Sequence, residues 1–92
     1  MEFTDAQYKA LDRLYESRFG LFGDDKVPIS LRLLAMFMGV NETEAETELR
    51  TLIQEGLVRE EGREPFIRQK FYKITDKGIE EFDYARRRHA PA

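Results

Sequence analysis

The sequence contains no cysteine and only one histidine, His89, in 92 residues. Without cysteine there is no disulfide framework, no thiolate metal site and no thiol nucleophile, whatever the redox compartment. His89 lies in a terminus expected to fray, which gives a metal-ligand or general-base role little support. Long apolar runs are also missing, so no membrane span is expected. Residues 1–5 are polar and lead into a helix rather than forming an apolar signal region. A cytoplasmic protein follows as the expectation. No nucleophile stands beside a base, no metal-ligand spacing recurs and no phosphate-binding glycine loop is present, so no enzyme activity and no cofactor are expected.

The remaining composition supports one folded domain over residues 1–92. A chain of this length buries roughly 60 to 65 per cent of its unfolded surface, enough for a single core. With 41% hydrophobic, 12% aromatic and 36% charged residues, it has material for that core and for a soluble surface. The net charge of −3 argues against nonspecific binding to nucleic acid, but a total hides local stripes of opposite sign.

Helix signals recur along the chain. Thr4 and Gln7 form a capping box, with Phe3 and Tyr8 as its hydrophobic staple. Tyr8, Leu11, Leu14, Tyr15 and Phe19 then follow at helical spacing until Gly20. Residues 20–28 read as a loop, although Leu21 and Phe22 are apolar and should fold back onto something. Ser30 caps a short second helix that ends at Gly39. Asn41 caps a third, with Glu44 as box partner, a buried stripe of Ala45, Leu49, Leu52 and Ile53, and Gly56 as its stop. Residues 57–61 and 66–74 are β-prone and flank Gly62-Arg63-Glu64-Pro65, which predicts an antiparallel hairpin. Thr75 caps a last helix over about 76–88. The order predicts an α+β fold: a three-helix core, a two-stranded antiparallel hairpin and a C-terminal helix.

The stretch 29–59, ISLRLLAMFMGVNETEAETELRTLIQEGLVR, has a capped short helix, a Gly-Val turn, a second helix and a closing Glu-Gly-Leu-Val. It resembles the helix-turn-helix of winged-helix transcription regulators. Phe71-Tyr72-Lys73-Ile74-Thr75-Asp76-Lys77-Gly78 is similar to the strand-to-helix junction of the PadR, MarR and ArsR groups. The two pieces occur in the order and separation of a winged helix-turn-helix, with the helix-turn-helix over about 29–56 and the wing over about 57–75. The resemblance implies double-stranded DNA as partner, with residues 41–55 in the major groove and 59–73 on the flanking backbone.

Charge tests that implication. The third helix carries Glu42, Glu44, Glu46, Glu48 and Glu55 against Arg50 alone, a poor composition for phosphate contact. At about 100 degrees per residue, however, Thr43, Thr47, Arg50, Thr51 and Gln54 project opposite the buried stripe. These side chains suit base edges, and a glutamate can accept from a cytosine amino group. The glutamates equally suit the positive end of the helix dipole, and Glu46 suits a pair with Arg50. In the hairpin, Arg59, Arg63, Arg68, Lys70 and Lys73 outnumber Glu60, Glu61 and Glu64, a local charge of +2. Arg63, Arg68 and Lys70, expected near its tip, are the candidate phosphate contacts; the alternative is a solvated hairpin with protective edge charges. Arg86, Arg87 and Arg88 suit either the last helix's dipole or a phosphate backbone.

The second helix is apolar all round. Leu31, Leu34, Ala35 and Met38 face one way; Leu33, Met36 and Phe37 face the other. A bare Leu-Met-Phe face is an association hazard, so something is expected to cover it: Leu21-Phe22, the last helix or a second copy of the chain. A homodimer through this face would suit a target with two half-sites. An alternative function is a protein-contact module that uses the acidic third helix and this apolar face.

Overall fold

The computed structural model describes residues 2–19, 28–62 and 70–89. Among the described residues, four helices and three strands follow in the order α1 (Asp5–Phe19), β1 (Ile29–Ser30), α2 (Leu31–Met38), α3 (Glu42–Gln54), β2 (Val58–Glu60), β3 (Phe71–Ile74) and α4 (Asp76–His89). The α+β architecture is the one expected from the sequence.

Each helix start is set by a side-chain cap. In α1, Thr4 Oγ1 accepts from the Gln7 N–H at 3.1 Å while Gln7 Oε1 accepts from the Thr4 N–H at 3.0 Å, a reciprocal capping box. Ser30 Oγ accepts from the Leu33 N–H and Asn41 Oδ1 from the Glu44 N–H. The Glu44 carboxylate accepts from the Asn41 side-chain amide at 3.1 Å, where the box pattern anticipates the main-chain N–H. Such caps contribute about 1 kcal/mol each. The turn between α2 and α3 works because Gly39 adopts φ 72°, which lets the Val40 N–H reach back to the Ala35 carbonyl at 3.2 Å while the chain takes a new direction. At the far end of α3, Lys77 Nζ donates to the Glu55 carbonyl at 3.0 Å, so α4 supplies a cation to the helix's negative end.

The core joins the buried stripes of these helices to the inner face of the sheet. Leu11 of α1, Leu34 of α2, and Ala45, Leu49 and Leu52 of α3 have no exposed surface. Tyr72 and Ile74 close the core from β3. The last helix belongs to it too: Phe82 is fully buried, its ring centroid 5.2 Å from those of both Tyr8 and Tyr15 on α1. Tilted aromatic contacts of this kind add roughly 0.5 to 1.5 kcal/mol each beyond the area they bury.

The sheet has one strand more than the expected hairpin. β3 is central, pairing antiparallel with β2 (Val58 opposite Ile74, Arg59 opposite Lys73) and with β1 (Ile29 opposite Tyr72, Ser30 opposite Phe71). The expected two-stranded hairpin is present as β2 and β3, and β1 adds a third strand on the other edge of β3. The reason is local: Ser30 caps α2 with extended backbone, φ −70° and ψ 152°, and an extended residue beside an open strand edge forms ladder bonds. The pairing continues as the Leu31 N–H donates to the Lys70 carbonyl at 2.8 Å. Two residues are too few to show a strand period in sequence. The arrangement anchors the start of α2 to β3 and so helps to fix the hairpin against the helices.

Candidate nucleic-acid interface

The outer face of α3 is the feature this scaffold holds most firmly. With Ala45, Leu49 and Leu52 buried, Thr43, Thr47, Arg50 and Gln54 are exposed and Thr51 is half-buried. The threonine hydroxyls turn onto their own helix: Thr47 Oγ1 donates to the Thr43 carbonyl at 3.1 Å and Thr51 Oγ1 to the Thr47 carbonyl at 3.4 Å. Back-bonded in this way, each hydroxyl keeps its oxygen lone pairs for an outside donor. Arg50 and Gln54 supply donors on the same ridge.

Three of the glutamates beside this ridge, Glu44, Glu46 and Glu48, are engaged within the fold. Glu44 belongs to the α3 cap. Glu48 accepts from Thr4 Oγ1 at 2.6 Å, tying the start of α1 to α3. Glu46 Oε1 accepts from Lys70 Nζ at 2.7 Å and from Arg50 Nη2 at 3.4 Å. The Lys70 hydrogen bond holds the Glu46 carboxyl below its ordinary range, and the same bond raises the Lys70 ammonium. Between the starts of α1 and α3 an open groove is rimmed by Asp5, Glu44 and Glu48, an unfavourable side for phosphate.

The hairpin's charge is also more compensated than its composition implies. Arg59 pairs with Glu61 at 2.8 Å and Lys73 with Glu61 at 3.6 Å. Lys70 directly precedes β3, on the loop side of the hairpin ladder, where β1 pairs with β3 and the side chain meets α3. Arg63 and Arg68, the other two candidate phosphate contacts, lie outside the described residues. Sequence reading found the Glu46–Arg50 pair through its one-turn spacing. It missed the Glu46–Lys70 pair, whose partners are 24 residues apart and meet only because the hairpin folds against α3.

No family model matches the chain, and no curated protein matches it as a relative. Solved structures do. A complex of Staphylococcus aureus MepR with DNA superposes with a TM-score of 0.74 at 19% identity, covering 90% of this chain and 61% of that one. The PcaV transcriptional regulator of Streptomyces coelicolor, bound to its natural ligand, gives 0.70 at 20% identity, covering 89% and 52%. An Archaeoglobus fulgidus protein gives 0.68 at 18%, covering 90% and 81%. The chain is a winged helix-turn-helix. It spans between half and two thirds of the MepR and PcaV chains it resembles.

Within this winged helix, α2 and α3 are the helix-turn-helix pair and β2–β3 the wing. The α2 face that sequence reading singled out stays open: Met36 is 72% exposed, Phe37 42% and Leu33 39%. One edge is partly covered, since the Arg13 guanidinium lies 4.3 Å from the Phe37 ring centroid. The last helix does not cover it; Phe82 of α4 packs on α1 instead. Leu21 and Phe22, the other intramolecular candidates, lie outside the described residues. On α4, Arg86 stacks over Tyr15 at 4.8 Å and lies 3.7 Å from Asp83, a packing role, while Arg87 and Arg88 are exposed.

Proposed function

We propose that the chain is a DNA-binding transcription regulator whose α3 enters the major groove and whose basic wing rests on the flanking backbone. The observation that carries this is the ridge of exposed Thr43, Thr47, Arg50 and Gln54 with half-buried Thr51, lying opposite the buried Ala45, Leu49 and Leu52 on the second helix of a helix-turn-helix. MepR, with the same fold, has been crystallised on DNA, which supports the reading. Arg50 suits the O6 and N7 acceptors of guanine and Gln54 the N6 and N7 pair of adenine, while the threonines offer acceptor oxygens and methyl groups. Arg63, Arg68 and Lys70 contact phosphates and set register. The reading needs no catalytic residue, metal or cofactor. It places the protein in the cytoplasm; among the described residues no helix is long and apolar enough to cross a membrane.

The test is a duplex titration across salt concentrations with the intact protein and a variant carrying Arg63→Ala, Arg68→Ala and Lys70→Ala. Each lost phosphate contact flattens the slope of log affinity against log salt by about 0.9, so the variant should lose about 2 to 3 from the slope. No duplex binding at the lowest salt would overturn the reading and favour a protein-contact module, for which the open Leu33-Met36-Phe37 face and the acidic groove are the surfaces. That apolar face also motivates a homodimer on two half-sites, as proposed for the regulator. Sedimentation equilibrium checks it: the protein should dimerise and a Met36→Glu, Phe37→Ser variant should not, whereas a strict monomer would remove the dimer from the proposal.

A further inference from the structure

Two cations reach Glu46 from different elements. Arg50 comes from one turn further along α3 and Lys70 from the residue that precedes β3 of the wing, and both meet the same carboxylate oxygen. Arg50 belongs to the exposed ridge, and Lys70 flanks it. All three side chains are open to solvent, with 32% of Glu46, 45% of Lys70 and 63% of Arg50 exposed, so a ligand reaches them without opening the core. A carboxylate oxygen offers an ammonium and a guanidinium what a phosphate oxygen offers: an anionic acceptor at hydrogen-bond distance. The lowered Glu46 and raised Lys70 protonation ranges keep both partners charged around neutral pH.

We propose that Glu46 is an internal stand-in for a DNA phosphate, occupying Lys70 and Arg50 in the free protein so that a duplex has to displace it. The inference rests on the DNA-binding reading above and names how that surface discriminates. Sequence-independent binding comes from phosphates neutralised by cations and the counter-ions this releases. A duplex that offers only phosphates exchanges one anion for another at Lys70 and leaves Glu46 facing its backbone. A duplex that also meets the ridge through its base edges gains contacts that the exchange does not cancel. Glu46 thereby lowers affinity for any duplex by the cost of its displacement, so that stable binding requires the base-edge contacts of the ridge, without Glu46 itself touching a base.

The experiment uses the full chain and a mixed-sequence duplex of about three helical turns, followed by fluorescence anisotropy over a salt series. The proteins compared are the natural chain, Glu46→Gln, Glu46→Ala, Glu46→Gln with Lys70→Ala, and Glu55→Gln, which changes net charge equally at the other end of α3. Both Glu46 single variants should bind about 3- to 10-fold tighter at low salt, with a slope steeper by about 1. The double variant should lose that gain, and Glu55→Gln should show less than half of it. Unchanged affinity and slope in the Glu46 variants, with the natural chain binding, would overturn this inference and leave the DNA-binding reading intact. An equal gain in Glu55→Gln would also overturn it, since net charge would then be the cause. Failure of all five proteins to bind at the lowest salt would overturn both.

Discussion

Replacing Gly78 with alanine tests how tightly α4 is seated against the base of the wing. In an exposed helix interior the change would stabilise by about 1 kcal/mol, because alanine is the better helix former. Here the added methyl would overlap the Leu57 carbonyl oxygen and stand 2.8 Å from Ile74 Cγ1. The carbonyl has little room to retreat. It already accepts from the Thr75 N–H at 3.0 Å, and the Leu57 N–H is held by the Leu52 carbonyl at 2.9 Å. Overpacking of this kind costs about 1 to 3 kcal/mol. Loss of the Thr75–Leu57 bond adds about 1 kcal/mol. After subtracting the helix-propensity gain, the expected loss is about 1 to 3 kcal/mol, a melting temperature lower by about 4 to 24 °C for a domain of this size. Urea denaturation followed by circular dichroism measures it. Gly62→Ala is the control, since a methyl there meets nothing within 4 Å. A Gly78→Ala protein as stable as the natural chain would refute the reasoning, because α4 would then be free to shift away from Leu57.

Thr75 links the same two elements through one hydroxyl, which accepts from the Gly78 N–H at 3.0 Å and donates to the Gly56 carbonyl at 2.6 Å. Thr75→Ala should cost about 1 to 2 kcal/mol and Thr75→Ser should restore most of it; chemical denaturation of the two variants decides whether the hydroxyl or the methyl matters. Tyr72, 1% exposed on β3, has its phenol pushed up to about 12 by burial and by the Glu60 and Glu46 charges. Ionisation is therefore harder in the folded than in the unfolded chain. The folded state holds the extra proton, so stability is unaffected below pH 10 and falls between about pH 10 and 12, by roughly 2 to 3 kcal/mol in all. Phenolate absorbance should show Tyr72 titrating late, together with unfolding, and Tyr72→Phe should flatten the decline; a normal titration of Tyr72 would contradict its burial.

Helix starts, turns and the buried side of each helix were legible in the chain because they depend on near neighbours. Thr4 with Gln7, Ser30 with Leu33 and Asn41 with Glu44 are separated by three residues, the spacing over which a cap acts. The buried stripe of α3, and hence its exposed ridge, follows from helical geometry alone. The third strand, the covering of Phe82 by Tyr8 and Tyr15, and the destination of Lys70 depend on segments that meet only after folding. Composition made the wing basic. Folding brought Lys70 to Glu46 and Lys73 to Glu61, because a charge finds its partner by distance in space, and local sums along a sequence do not contain that distance.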